Sequence, residues 1–152
     1  MRMMNSTVLS FIGDSVFELY IRRHVINKGQ VHADLLHRTA VRFVRAEAQA
    51  YALKAILDEL SEDEMSLVKR ARNKKISTKP KNVDPVIYKW ATAFEALIGF
   101  LYLSEQYDRM EEIIQKSIRL IENQDNTAAA GTVLRKGKRQ GNNGGMAEVK
   151  HE

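Results

Sequence analysis

The stretch FIGDSVFELY, residues 11–20, is the most informative part of the chain because it places two acids inside a strongly apolar helical run. Asp14 and Glu18 are four residues apart and therefore share one face of the predicted helix. A second run, ATAFEALIGFLYL at residues 91–103, contains Glu95 as its one charged residue. Burying a carboxylate is expensive unless a cation, hydrogen-bond donors or a metal ion compensates it. Each of these acids therefore needs a partner.

The composition is typical of one soluble domain with a substantial core. The chain has 152 residues, of which 44% are hydrophobic and 28% charged, and this length suits a single core. No uncharged apolar run approaches the roughly 20 residues that span a bilayer. The start, MRMMNSTVLSFIGDS, lacks a signal-peptide pattern, and the chain has no cysteine. We therefore expect a cytoplasmic protein with no membrane partner.

Helical periodicity predicts an all-α fold, and no segment has the period-2 pattern of a strand. Ser61 with Glu64 three residues later is a capping-box signature. Asp84 followed by Pro85 is a second helix start. The predicted helices cover residues 8–25, 33–60 with a break near 41–45, 61–73, 84–106 and 108–122.

The character of the chain changes after Asn123. Residues 124–152 contain five of the eight glycines, few large apolar side chains and no periodicity. Chains of this composition do not bury enough apolar surface to fold alone. We predict a folded domain over residues 1–123 and a flexible, Gly-rich, basic tail over residues 124–152.

Basic side chains cluster between residues 69 and 89, where eight Lys and Arg residues face one acid, Asp84. Such a cluster is either a solvated surface or an electrostatic footprint for phosphate groups, and composition alone leaves both open. Pro80 and Asn82 predict that its central part is a loop. The four histidines have no metal-pair spacing.

The acids also allow two interpretations. Each could pair with an Arg or Lys of a neighbouring helix. Alternatively, converging carboxylates are what Mg²⁺ requires, because this ion takes oxygen ligands and binds phosphate. A bound Mg²⁺ activates water and offsets charge on a phosphate under attack. Acids together with a basic patch therefore favour phosphodiester hydrolysis, and the chain has neither a Gly-rich phosphate loop nor an HExxH motif.

Five ordered motifs resemble a known family. FIGDS resembles the second half of the ribonuclease III signature, and FEALIG resembles the second acidic motif of that family. The resemblance is strongest to the Mini-ribonuclease III branch, a nuclease domain without a double-stranded-RNA-binding domain, and covers about residues 7–121. The motifs similar to that branch are IGDSVFELYIR, HRTAVRFVRAEAQA, KRARNKK, TKPKN and WATAFEALIGFLYL.

The resemblance implies a ribonuclease III-type helical endonuclease domain that cleaves double-stranded RNA. By motif position, Asp14 and Glu95 are the implied catalytic and Mg²⁺-binding residues. Phe11 stands where the family has an aromatic that inserts into a partner subunit, which implies a homodimer. The implied substrate is precursor 23S ribosomal RNA, whose ends the branch matures.

Two departures from the family pattern keep an alternative open. Full-length ribonuclease III has acids where this chain has Thr7 and Thr92, so the acidic set is reduced. Glu18 either compensates for this loss or only pairs with Arg22. The alternative function is a non-catalytic RNA-binding helical module of the same fold. A DNA-binding regulator is disfavoured because no short recognition-helix turn stands out.

A nuclease domain alone must hold duplex RNA through its own basic residues, because such RNA is recognised by shape and backbone contacts. Phosphate contacts of this kind make binding depend on salt. We predict that the basic segment, residues 71–82, holds the RNA and takes no part in the chemistry. The predicted RNA-binding residues are Arg72, Lys74, Lys75, Lys79 and Lys81.

Overall fold

The computed structural model describes residues 4–76 and 81–140, with side chains as far as residue 131. These residues form helices and connecting turns and contain no strand, which confirms the predicted all-α class. A short 3₁₀ helix, Leu57–Glu59, follows α3. The α-helices are α1 (Ser6–Asn27), α2 (Ala33–Val44), α3 (Ala46–Ile56), α4 (Glu62–Asn73), α5 (Pro85–Leu103) and α6 (Tyr107–Gln140).

Helix α5 is the central helix and packs against α1, α3 and α4. It is apolar around most of its circumference because its neighbours cover it on several sides. Phe94 of α5 meets Phe17 of α1 edge to face, with ring centroids 4.9 Å apart. By length and composition α5 also passes for a membrane-spanning helix, as core helices of soluble proteins do. Its eight buried residues mark it here as a core helix.

Two glycines let α1 and α5 come into backbone contact. A Cβ atom added to Gly13 would lie 1.7 Å from the carbonyl oxygen of Glu95. A Cβ atom added to Gly99 would lie 1.9 Å from the carbonyl oxygen of Leu9. Glycine is required at both positions because no side chain fits between the two backbones. The acid that follows Gly13 is thereby brought to the helix that contains Glu95.

The predicted helix boundaries are confirmed at four places. Gly29, just beyond α1, has a φ of +87°, which is the left-handed conformation expected at a helix end. The predicted break falls at Arg45, whose ψ of 151° separates α2 from α3. Ser61 forms the predicted capping box at the start of α4. Asp84 caps α5 by accepting a hydrogen bond from the backbone N–H of Val86 at 2.8 Å.

Helix α6 is longer than predicted. The sequence analysis ended it near residue 122, whereas the structure continues it to Gln140. Residues 126–131 are exposed, so this part of the helix needs no apolar stripe. Its alanines, and the Leu, Arg and Lys residues that follow, are good helix formers. The prediction relied on apolar periodicity, which a solvated helix does not require.

The chain divides into two compact units, residues 1–121 and 122–152. The core side chains of α6, from Met110 to Ile121, belong to the first unit. The predicted flexibility of residues 124–152 stays a prediction, and residues 141–152 lie outside the described part of the chain.

A buried ion pair attaches α6 to α4. Glu64 is 3% exposed. The Arg109 guanidinium donates to both of its carboxylate oxygens, through Nε at 3.1 Å and Nη2 at 2.9 Å. The backbone N–H of Ser61 donates a further hydrogen bond to Glu64 at 2.9 Å. This carboxylate is therefore fully compensated.

Candidate active site

Asp14 and Glu95 come together where α1 crosses α5. Glu95 titrates with a pKa raised to about 8, first because burial disfavours its charged form and then because the Asp14 carboxylate lies beside it. An Asp14 effect of this kind requires close proximity, since charges separated by water interact weakly. The structure thus brings together two acids that are 81 residues apart in the sequence.

Two polar side chains support the Glu95 carboxylate. The Ser10 hydroxyl, one turn before Asp14 on α1, donates a hydrogen bond to Glu95 Oε2 at 2.9 Å. The Gln49 amide approaches from α3 and lowers the pKa of Glu95. Gln49 is 1% exposed, yet its Nε2 has no hydrogen bond of good geometry in the described part of the chain. A buried amide donor with spare capacity thus faces the acid pair.

No Lys or Arg among the described residues forms an ion pair with Asp14 or Glu95. Glu18 does not join the acid pair: its Oε1 accepts a hydrogen bond from Arg22 Nη2 at 2.9 Å, one turn along α1. Of the two roles considered for Glu18, the structure thus supports pairing with Arg22. The expectation that basic partners compensate the acids holds for Glu18 and not for the other two.

The residues present fit a single divalent cation. Mg²⁺ is often held by one or two carboxylates, with water and substrate phosphate oxygens as its other ligands. Asp14 and Glu95 supply two such carboxylates, and a cation between them would relieve the repulsion that raises the pKa of Glu95. Over residues 4–76 and 81–140, the structure contains no group of three or more His, Cys, Asp or Glu side chains suited to a metal. The remaining ligands would therefore be water and substrate.

Thr7 and Thr92, the two threonines that replace family acids, face basic groups. Lys74, just after α4, donates hydrogen bonds to the Thr7 hydroxyl and to Asn5 Oδ1, the latter at 2.8 Å. Thr92 lines the same cleft as Lys74. The Lys74 ammonium group thus lies beside Thr7, at a position where the family pattern has a carboxylate.

A cleft of about 250 Å³, hereafter the basic cleft, lies beside the acid pair. Lys74, Lys75 and Lys89 contribute its charge, and Ser10, which bonds to Glu95, forms part of its wall. Lys74 and Lys75 are distant from both acids in the sequence, but they lie in this cleft because the end of α4 lies next to the start of α1.

Two other predicted RNA-binding residues, Arg72 and Lys81, do not line this cleft. The Arg72 guanidinium stacks on the Trp90 ring, 4.9 Å from its centroid, and the Lys54 ammonium lies 5.3 Å from the same centroid. Arg72 thus has a packing role in this structure. Lys81 is exposed in the loop before α5, and Lys79 lies outside the described residues.

Phe11 lies on the outer surface of α1 and is 78% exposed. It is three residues before Asp14, and Val8, one turn earlier, is 50% exposed. Large apolar side chains that stand together on a surface often mark a site of association. The position of Phe11 is therefore compatible with the predicted subunit contact.

Sequence reasoning missed Ser10, Gln49 and Lys89. Ser10 is four residues before Asp14, so helical spacing already placed it on the same face. Gln49 is the one uncharged polar residue in AEAQAYA, a segment that the structure buries. Lys89 was counted in the basic cluster of residues 69–89 but not among the predicted RNA-binding residues, because only the packing of α5 against the end of α4 brings it to the other two lysines.

The comparisons with known proteins agree with this geometry. Residues 7–106 match the model of the Ribonuclease III domain. The chain is 44% identical over 115 residues to Mini-ribonuclease 3 of Thermoanaerobacter sp. (strain X514), covering 76% of this chain and 81% of that protein. It is 45% identical over 118 residues to Mini-ribonuclease 3 of Brevibacillus brevis, covering 78% and 88%.

A solved structure is also similar. The crystal structure of protein FN1578 from Fusobacterium nucleatum matches with a TM-score of 0.71 and 33% sequence identity. The match covers 78% of this chain and 94% of that one.

Proposed function

The chain belongs to the ribonuclease III family and is an endoribonuclease, and we propose that it cleaves double-stranded RNA with Mg²⁺ held by Asp14 and Glu95. The single observation that supports this proposal best is the arrangement of the Asp14 and Glu95 carboxylates. Two carboxylates face each other without a basic partner among the described residues, an arrangement that a cation would stabilise.

The roles of the side chains follow from their contacts. When bound, Mg²⁺ would lower the pKa of a water ligand and offset charge on the phosphate. Asp14 and Glu95 would hold the ion, and the Ser10 hydroxyl fixes the orientation of the Glu95 carboxylate. The Gln49 amide offers a further donor beside Glu95. Gly13 keeps the two helices close enough for both acids to reach one ion.

The proposed substrate is the base-paired end region of precursor 23S ribosomal RNA, in the cytoplasm. Its support is the resemblance to the Mini-ribonuclease III branch and the names of the similar proteins. The basic segment offers lysines for the RNA backbone, and we expect binding to weaken as salt rises.

Cleavage of duplex RNA tests this function directly. The wild-type protein should cut a precursor 23S stem in Mg²⁺ and leave it intact in EDTA, while a single strand of the same sequence persists. Binding of the stem in EDTA should remain. Binding without cleavage in Mg²⁺ would favour the alternative, a non-catalytic RNA-binding module.

We also propose that the enzyme is a homodimer with Phe11 in the subunit interface. The support is the exposure of Phe11 and Val8 on one side of α1. Phe11→Glu should shift the protein towards monomer in analytical ultracentrifugation, because a carboxylate is unfavourable in an apolar contact. Val86→Glu, at another exposed apolar residue at the start of α5, is the control. A Phe11→Glu protein that sediments as the wild type does would contradict the assignment.

A further inference from the structure

The charge of the basic cleft is uncompensated. Lys74 donates to Asn5 Oδ1 and the Thr7 hydroxyl, which are both neutral. None of Lys74, Lys75 and Lys89 forms an ion pair with a described residue, and the described lining contains no acid. Three positive charges around a cleft of about 250 Å³ repel one another, and a bound anion relieves that repulsion.

The polar groups of the basic cleft suit a phosphate. A lysine ammonium group donates hydrogen bonds and cannot accept them, and a hydroxyl group can donate one as well. Besides the lysines, the lining offers the hydroxyls of Thr7 and Thr92, whereas the Ser10 hydroxyl already donates to Glu95. A phosphodiester carries one negative charge, shared by two non-bridging oxygens that accept such bonds, and hydrogen bonds between charged groups are stronger than neutral ones. The cleft therefore suits a phosphate group in the sign of its charge and in its hydrogen-bonding capacity.

The basic cleft also adjoins the acid pair. Ser10 lines the cleft and donates its hydrogen bond to Glu95. Thr92, on the cleft wall, is one turn before Glu95 on α5. A phosphate in this cleft would thus lie beside a phosphate at the two carboxylates, as consecutive phosphates of one strand do.

We infer that the basic cleft binds one backbone phosphate of the strand being cut, next to the scissile phosphate, and so selects the bond that reaches Asp14 and Glu95. This inference rests on the proposed function, since it requires that RNA be the substrate. It assigns Lys74, Lys75 and Lys89 a positioning role in cleavage, in contrast to the predicted role of the segment in holding RNA only.

Neutralising charges on both sides of the contact tests the inference. The RNA probe is a duplex with one uncharged methylphosphonate linkage, moved in steps through the cleavage region. Dissociation constants are measured in EDTA for the wild type, Lys74→Ala and Lys89→Ala. Lys69→Ala is the matched control, because this exposed lysine of α4 is not among the predicted RNA-binding residues and does not line the cleft.

For the wild type, one linkage beside the cleavage site should weaken binding roughly tenfold when neutralised, as expected for a lost charge-assisted hydrogen bond. Lys74→Ala and Lys89→Ala should bind the unmodified duplex about tenfold more weakly and be insensitive to that linkage. Lys69→Ala should keep the wild-type response. For each cleft variant, the loss of affinity from the lysine substitution could simply add to the loss from the neutral linkage at every linkage position. That result would overturn the inference.

Single-turnover cleavage in Mg²⁺ at saturating enzyme tests the positioning role. Lys74→Ala should cut about tenfold more slowly than Lys69→Ala or with displaced cleavage sites, because a misplaced phosphate reacts slowly even when bound. Equal rates at the same bond would overturn the positioning role. A wild-type protein that neither binds nor cuts any duplex would instead contradict the proposed function, and this inference with it.

Discussion

Glu64, which is buried, and Glu95, which is partly buried, are the same residue type, and the structure treats them in opposite ways. Burial alone would raise the pKa of Glu64, but hydrogen bonds from Arg109 and Ser61 and the Arg109 charge lower it below its usual value. Burial and the neighbouring Asp14 carboxylate instead raise the pKa of Glu95 to about 8. Glu64 has a cation beside it, and Glu95 has a second acid beside it.

This difference distinguishes a structural carboxylate from a functional one. The hydrogen bonds and charge that stabilise ionised Glu64 come from the protein itself, so the site is complete. At Glu95 the protein supplies only partial support from Ser10 and Gln49, and full ionisation awaits a ligand. Strongly perturbed acids without a protein partner cluster at functional sites. The comparison therefore points to Glu95, and not to Glu64, as part of the active site.

The largest expected effect concerns cleavage. Asp14→Asn should reduce Mg²⁺-dependent cleavage on the order of a thousandfold, because it removes half of the carboxylate set that would hold the ion. Glu95→Gln should act alike. Helical circular dichroism and duplex binding in EDTA should stay near the wild-type values for Asp14→Asn.

The matched control is Glu18→Gln, one turn away on the same helix, where the acid pairs with Arg22. Exposed pairs of this kind contribute little to stability, so cleavage should stay within about twofold of the wild type. Cleavage at the wild-type rate by Asp14→Asn would show that Asp14 and Glu95 do not form the active site. Glu95 would then not differ from Glu64 in function.

The next effect concerns stability. Arg109→Met should lower the free energy of unfolding by about 3 kcal/mol, because it leaves the Glu64 carboxylate buried without its cation. Urea unfolding at pH 7 measures this change. Cleavage per folded molecule should be unaffected, since Glu64 is not part of the acid pair. A stable Arg109→Met protein would show that Ser61 alone suffices for Glu64.

The smallest effect is a gain in stability, measured at pH 5. Without divalent ions, Glu95→Gln should raise the free energy of unfolding by on the order of 1 kcal/mol at pH 5, and by more as the pH rises towards 8. An unfolded Glu loses its proton near pH 4.3, whereas folded Glu95 keeps it until about pH 8. Between these values the folded protein binds the extra proton, so its stability falls as pH rises.

The pH series sharpens the comparison further. The free energy of unfolding should be measured from pH 5 to 9. The contribution of Glu95 to it should fall as the pH rises, and Glu95→Gln should remove this fall. Glu64 has a lowered pKa in the folded protein, so its contribution is present above its unfolded pKa and is lost as pH falls through the folded value. A Glu95→Gln protein with the wild-type pH slope would contradict the raised pKa.

The sequence predicted much of the fold because its signals are local. The capping box at Ser61, the start at Asp84 and Pro85, and the break near Arg45 depend on residues a few positions apart. The long α6 was missed because an exposed helix needs no apolar stripe. Among the site residues, Asp14 and Glu95 were identifiable as charges in apolar runs, and the family resemblance assigned them a common role.

The sequence by itself determined which residues are helical, which acids are costly to bury and which family the motifs resemble. Only the tertiary structure decided that Glu64 has Arg109 as its partner while Glu95 has Asp14. It also decided that Lys74, Lys75 and Lys89 share one cleft beside the acids. The physical reason is that capping and periodicity act over a few residues, whereas the pKa of a carboxylate depends on charges within a few ångströms. Such charges come from helices far apart in the chain, and here the backbone contact at Gly13 and Gly99 brings two of those helices together.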